Sequence, residues 1–196
     1  RCLTDKLHIT LETLGGIKTL DLHPAGDGTI GTVTVDMEAP SLYPKNIPVD
    51  TDKIEFVNQP VEVDGVQIKI TAVSVGNPHA VIIVDDVDKA DVSGLGATIE
   101  HHPLFPERTN VEFVQVISPD RIKMRVWERG SGETMACGTG SCAAVVATAT
   151  LGLTGRQVTV ELLGGDLDIN WNPSDNHVYM TGEATTVYNG VWEPKL

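Results

Sequence analysis

The sequence predicts an α+β fold in which a strongly curved, mostly antiparallel sheet wraps around one central helix. Three observations carry this. Short alternating or apolar segments bounded by Gly, Pro, Asn and Asp recur along the chain, as strands and their turns do. One long segment, Thr139 to Leu151, reads as a helix, with Gly152 set to end it. No charged residue occurs between Glu133 and Arg156, and a helix without a polar face has to be buried on all sides. The apolar run is interrupted by Gly, Thr and Ser and falls short of the roughly 20 residues a membrane span needs.

The elements follow in order. Residues 7–13 alternate as a half-buried strand, Gly15-Gly16 turns the chain, and Ile17 to Leu22 pairs back as a hairpin. Gly31 to Met37 alternates again. Ala39 to Pro48 holds three prolines and reads as a linker, where a first domain boundary is expected. Val61 to Val63, the tight turn Asp64-Gly65 and Val66 to Val75 form a second hairpin. The loop Gly76-Asn77-Pro78-His79 leads into the apolar run Ala80 to Val84, and residues 91–102 suit a short helix. The polar loop Phe105 to Asn110 precedes the strand Val111 to Ile117, and Pro119-Asp120 turns the chain into Arg121 to Glu128. Beyond the central helix, strands are expected at Val158 to Leu163, Leu167 to Trp171 and Val178 to Met180, with turns at Gly164-Gly165 and Asn172-Pro173. Gly182 breaks the pattern before a last strand, Thr185 to Tyr188.

The chain has 196 residues, 41% of them hydrophobic, enough for one large domain or two small ones. A net charge of −13 argues against nucleic acid and against an anionic membrane surface; it reads as solubility. An anionic substrate therefore needs a local site. Three cysteines without zinc spacing are no disulfide framework, and a reducing, cytoplasmic setting is expected. Neither a signal peptide nor a transmembrane segment is visible. The chain opens at Arg1-Cys2 without an initiator methionine, as a fragment or a processed product would. Asp85, Asp86 and Asp88 read as a solvated edge, because no second ligand cluster accompanies them. No dinucleotide, P-loop, zinc-protease or serine-hydrolase motif occurs, and no cofactor is implied.

The chemistry gathers in Glu128-Arg-Gly-Ser-Gly-Glu-Thr-Met-Ala-Cys-Gly-Thr-Gly-Ser-Cys142. Cys137 stands where the central helix begins. Unpaired N–H groups and the helix dipole make that end partly positive, so the thiol is expected to ionise more easily than a free one, of pKa about 8.5. Gly138 and Gly140 leave backbone N–H groups open to an anion. The turn thus offers a thiolate beside a carboxylate-binding nest, and the neighbouring pair Glu128-Arg129 strengthens that reading over a merely structural cysteine. His79 suits either a site or a satisfied strand-end histidine.

Gly76-Asn-Pro-His79, Phe105-Pro-Glu-Arg-Thr-Asn110, Glu128 to Gly140, Gly164-Gly165 with Trp171, and Met180-Thr-Gly182 occur in order at suitable separations. Together they resemble diaminopimelate epimerase, the enzyme family that interconverts LL- and meso-diaminopimelate on the route to lysine and peptidoglycan without pyridoxal phosphate. The resemblance runs from about residue 5 to the end of the chain. It implies two similar domains, each a curved sheet around a central helix, with the site in the cleft between them. Residues 39–182 would be the second domain, and 1–38 with 183–196 parts of the first.

It also implies roles. Two thiols, one from each domain, carry the α-proton to and from opposite faces, and Cys137 matches the second. Glu128 would bind the substrate ammonium and, with His79, tune the thiols. Gly138 and Thr139 would contact the carboxylate at the reacting centre. Asn77, Asn110 and Arg129 would hold the distal amino-acid end, with Arg129 pairing its carboxylate. Tyr188 matches a family tyrosine at a homodimer contact, and Cys142 reads as core. The family's first catalytic cysteine lies in a Cys-Gly-Asn-Gly turn ahead of an Arg-Cys pair. That turn is absent from this sequence, and Cys2 is not its counterpart. The competing readings are a proline or hydroxyproline racemase, a non-catalytic amino-acid-binding remnant, and a cysteine hydrolase using His79 as base.

Overall fold

The computed structural model describes residues 4–13 and 16–193. Three strands open the chain: β1 (His8–Thr13), β2 (Gly16–Pro24) and β3 (Ile30–Asp36). A stretch with a single 3-10 turn at Pro44–Asn46 follows. Then come β4 (Gln59–Val63), β5 (Val66–Ser74), β6 (Pro78–Ile83) and helix α1 (Val92–Glu100). Next are β7 (Asn110–Ser118), β8 (Arg121–Glu128), the short β9 (Gly132–Thr134) and helix α2 (Gly138–Thr150). The last strands are β10 (Gln157–Leu162), β11 (Gly165–Trp171) and β12 (Val178–Glu183).

The strands form one continuous sheet in the order β1-β2-β3-β12-β11-β10-β8-β7-β6-β5-β4, with β9 on β8. All pairings are antiparallel except β6 with β7 and β8 with β10. Parallel neighbours need a crossover, and these two are the places where α1 and α2 are inserted. The two helices therefore define the two cores. Val73, Val81, Val114, Met124 and Val126 pack with α2 residues Cys142 to Ala147. Ile70, Ala72, Ala80, Ile82, Val111 and Phe113 pack with Val92 and Ile99 of α1. Successive strand residues point to opposite faces. By that period His79, Glu112 and Glu128 fall on the α2 face, two residues from Val81, Val114 and Val126.

Helix α2 is buried from Gly140 to Thr148, as its lack of charge requires. Two of its buried hydroxyl side chains bond back to helix-backbone carbonyls: Ser141 donates to the Cys137 carbonyl (2.9 Å) and Thr148 to that of Val145 (3.2 Å). Gly152, at φ +70°, takes the left-handed position that ends the helix.

Three expectations need correction. Residues 185–188 form no strand. Both edges of β12 are already taken, by β3 and β11, and the chain leaving it makes one backbone bond, from the Ala184 N–H to the Gly31 carbonyl, and then runs on as coil. Gly182 does not break the pattern either, because it lies in the ladder opposite Val33. The proline-rich stretch after residue 39 is also more than a tether: Ile47 and Val49 are buried in the α1 core.

Helix α1 sits close on the sheet because Gly96 has no side chain. A Cβ there would meet Cβ of Trp127 at 2.5 Å and its Cγ at 2.8 Å. Gly96→Ala should lower stability by about 1–3 kcal/mol, the usual cost of overpacking. Urea unfolding checks this, and an unchanged midpoint would contradict the close packing.

Candidate active site

Cys137 caps α2. Its side chain accepts from the Gly140 N–H (3.4 Å) and lies 3.6 Å from the Thr139 hydroxyl. The thiol is buried. Burial and the nearby Glu112 carboxylate push its pKa up to about 12, against the lowering by the Thr139 and Gly140 hydrogen bonds; Glu128 adds a smaller raising effect. This reverses the expected acidification. The positive helix end is present, but desolvation and a buried carboxylate outweigh it.

A chain of hydrogen bonds runs from this carboxylate to the thiol. Glu112 Oε1 lies 2.6 Å from His79 Nδ1, and both side chains are fully buried. His79 Nε2 lies 2.9 Å from Asn77 Oδ1. Asn77 Nδ2 donates to Thr139 Oγ1 (3.3 Å), which completes the path to Cys137 Sγ. Glu112 was not singled out in the sequence. The available signal was one carboxylate in an otherwise apolar strand, Val111-Glu-Phe-Val114, on the face that the strand period assigns to α2.

Gly140 makes room for this arrangement. A Cβ there would stand 2.8 Å from Glu112 Oε1 and 3.2 Å from Cys137 Sγ, so the carboxylate and the thiol face one point beneath the helix start. Met180 closes over Gly138 in the same way, with its sulfur 2.8 Å from a Cβ built there.

Asn110 ties two loops together. Its amide donates to the Pro78 carbonyl (2.9 Å) and accepts from the Arg129 N–H (2.9 Å). Glu128 accepts from the Thr134 hydroxyl. The Arg129 guanidinium is exposed and donates to the Glu107 carbonyl (3.0 Å). The loop after Glu128 is anchored from below by Glu100 of α1, which accepts from Trp127 Nε1 (2.7 Å) and the Gly130 N–H (2.9 Å). Burial alone would raise the Glu100 pKa, but these bonds hold it below the usual value.

A cleft of about 400 Å³ opens beside the thiol, lined by Thr13, Lys18, Met37, Val75, Gly76, Asn77 and Thr139. Its walls come from the first three strands as well as from β5 and α2. The structure thus brings Cys137, His79, Asn77, Gly138 and Thr139 together, with Asn110 at the start of β7, Glu128 at the end of β8 and Arg129 on the loop beyond it. Cys142 is buried in the α2 core. Tyr188 is 81% exposed in the coil after β12, apart from this group. Cys2 lies outside the described residues. Among the described residues no cluster suits a metal ion, and no helix is long and apolar enough to cross a membrane.

The fold is shared by solved structures, two of which are described as a probable proline racemase and a hydroxyproline epimerase. A probable proline racemase from Agrobacterium radiobacter K84 superimposes with a TM-score of 0.63 at 17% identity, over 90% of this chain and 57% of that one. A hydroxyproline epimerase from Agrobacterium vitis gives 0.62 at 16% identity, over 90% of this chain and 56% of its own. At such identities the likeness is one of fold. Sequence narrows it. The diaminopimelate epimerase family profile matches residues 71–187. The diaminopimelate epimerase of Acetivibrio thermocellus is 55% identical over 190 residues, covering 97% of this chain and 68% of that protein. That of Methanococcus maripaludis strain C6 is 48% identical over 188 residues, covering 96% and 68%. The chain belongs to the diaminopimelate epimerase family, and spans about two thirds of the length of these relatives.

The raised proton affinity of Cys137 can be measured directly. The rate of its alkylation by iodoacetamide, followed by mass spectrometry of its peptide, should reach half-maximum well above pH 9 in the substrate-free protein. A midpoint at or below about 8.5, the value of a free thiol, would contradict the site geometry.

Proposed function

We propose that this chain carries one acid/base thiol and most of the substrate contacts of a cofactor-independent epimerase that interconverts LL- and meso-diaminopimelate. The observation that carries the reading is the buried thiol of Cys137 at the start of α2, with the Gly140 N–H donating to its sulfur and the Thr139 hydroxyl beside it, in a chain of this family. Inverting an α-carbon needs one group to take the proton from one face and another to deliver a proton to the opposite face. A thiol with a proton affinity above the ordinary value makes a stronger base once ionised, closer in strength to a weakly acidic carbon. Backbone N–H groups at the helix start suit the charge that develops on the substrate carboxylate.

The roles follow from the geometry and the family pattern. Cys137 moves the proton. Gly138 and Thr139 hold the reacting carboxylate. Glu128 takes the substrate ammonium, which would also offset the part of the thiol's raised pKa that Glu128 contributes. His79 tunes the thiol. Asn77, Asn110 and Arg129 serve the distal amino-acid end, with the exposed guanidinium of Arg129 pairing its carboxylate. Such a second polar end favours a diamino diacid over proline.

Residues 39–182 are read as the domain of this thiol, and 1–38 with 183–196 as parts of the other domain, which supplies the second thiol. The exposed apolar side chains of Val187, Tyr188, Val191 and Trp192 are in keeping with a homodimer contact at Tyr188. Free cysteines are in keeping with a reducing, cytoplasmic setting.

Proton NMR of LL-diaminopimelate in D₂O with the full-length enzyme, under reducing conditions, tests the reading. The α-hydrogen signal should vanish as the meso isomer forms. Cys137→Ala should lower the rate by roughly 10²–10⁴-fold or more, the usual contribution of a positioned acid or base. Exchange of proline instead, or full activity of the Cys137 variant, would overturn it. Arg129→Gln should lower kcat/KM by roughly 10- to 100-fold, the loss expected for a charged hydrogen bond. An unchanged kcat/KM would remove Arg129 from the substrate site.

A further inference from the structure

We infer that Glu112 is a positioning residue of the thiol site: through His79, Asn77 and Thr139 it sets the direction of the hydrogen-bond chain that ends on Cys137, and its carboxylate holds the proton on the thiol. The inference deepens the proton-transfer reading of Cys137 and rests on it for turnover.

The donor count carries the first half. Glu112 and His79 are both fully buried, with Oε1 against Nδ1. Nε2 faces Asn77 Oδ1, which can only accept, so Nε2 carries a hydrogen and donates to it. Asn77 must then offer Nδ2 to Thr139. Thr139 has one hydrogen; having accepted from Asn77, it keeps that hydrogen for the sulfur. A thiolate at Cys137 receives it together with the Gly140 N–H.

The reverse arrangement shows what the observed direction provides. With Nε2 bare, Asn77 would turn to donate to it, Thr139 would spend its hydrogen on Asn77 Oδ1, and the thiolate would lose one of its two donors. No covalent bond between heavy atoms changes in either arrangement.

The second half rests on proximity. Glu112 and Cys137 flank the same point beneath Gly140, 2.8 Å and 3.2 Å from it. Glu128 from β8 and Cys142 from α2 itself also act on the thiol, His79 reaches it through Asn77 and Thr139, and Lys18 of β2 lines the cleft beside it. Glu112 Oε2 has no hydrogen-bond partner among the described residues, so its charge is quenched on one oxygen only.

Two variants of the full-length enzyme separate the halves. Glu112→Gln keeps the shape. Its amide should turn the N–H to His79 Nδ1 and leave the carbonyl unpaired, since an orphaned carbonyl is tolerated better than an orphaned NH₂. The chain direction is then kept and only the carboxylate is lost. The alkylation midpoint of Cys137 should fall by about one pH unit, with KM within about threefold of wild type. Glu112→Leu removes both functions, and kcat should fall at least about tenfold below that of the Gln variant, again with KM little changed. An unmoved midpoint in folded Glu112→Gln, or equal kcat in the two variants, would overturn the inference. Alkylation needs no substrate. A shifted midpoint in an enzyme that leaves diaminopimelate untouched would therefore support the Glu112 assignment while overturning the substrate.

Discussion

The structure depends on burying a helix that has no polar face. Helix α2 has to be enclosed along its length, and the sheet curves round it from β5 to β12 to do so. The N–H groups at its start have no partners within the helix and need others. Cys137 supplies one of these as the helix cap. A thiol is a weak acceptor in that role and a stronger one once ionised, so the same geometry that ends the helix stabilises a thiolate when one forms.

Burial also explains why the thiol does not ionise readily at rest. A helix start favours the anion, yet the low-polarity surroundings and Glu112 oppose it, and the opposing effects win. The result is a group that holds its proton until something changes its surroundings. A substrate ammonium at Glu128, as proposed above, would be one such change. The polar chain from Glu112 to Thr139 keeps the thiolate's donors in register meanwhile. Asn110 and Glu100 fix the two loops on either side, so the cleft is braced from both cores.

Much of this was legible in the sequence, and for physical reasons. The absence of charge from Glu133 to Arg156 gives α2 and its burial, and the start observed at Gly138 is one residue from the expected one. Alternation gives most strands to within a few residues. Cys137, His79 and Asn77 stand out because glycine, asparagine and proline turns mark them, and the structure brings them together. What failed depends on residues distant in sequence. The expected strand at Thr185 to Tyr188 has suitable side chains, but β3 and β11 already flank β12, and the chain beyond it pairs with no strand. The thiol's acidity was misjudged because local sequence shows the helix end and not a carboxylate brought from β7. Glu112 itself looked like one residue of an ordinary strand until the sheet set it beneath Gly140.

The most direct measurement is nitrogen NMR of the enzyme with isotope-labelled histidine, with the His79 signals assigned through its replacement by Gln. Nε2 of His79 should carry a hydrogen at neutral pH, as its bond to Asn77 Oδ1 requires. A bare Nε2 would mean that the chain runs the other way, that Thr139 does not serve the sulfur, and that Glu112 has no part in directing it.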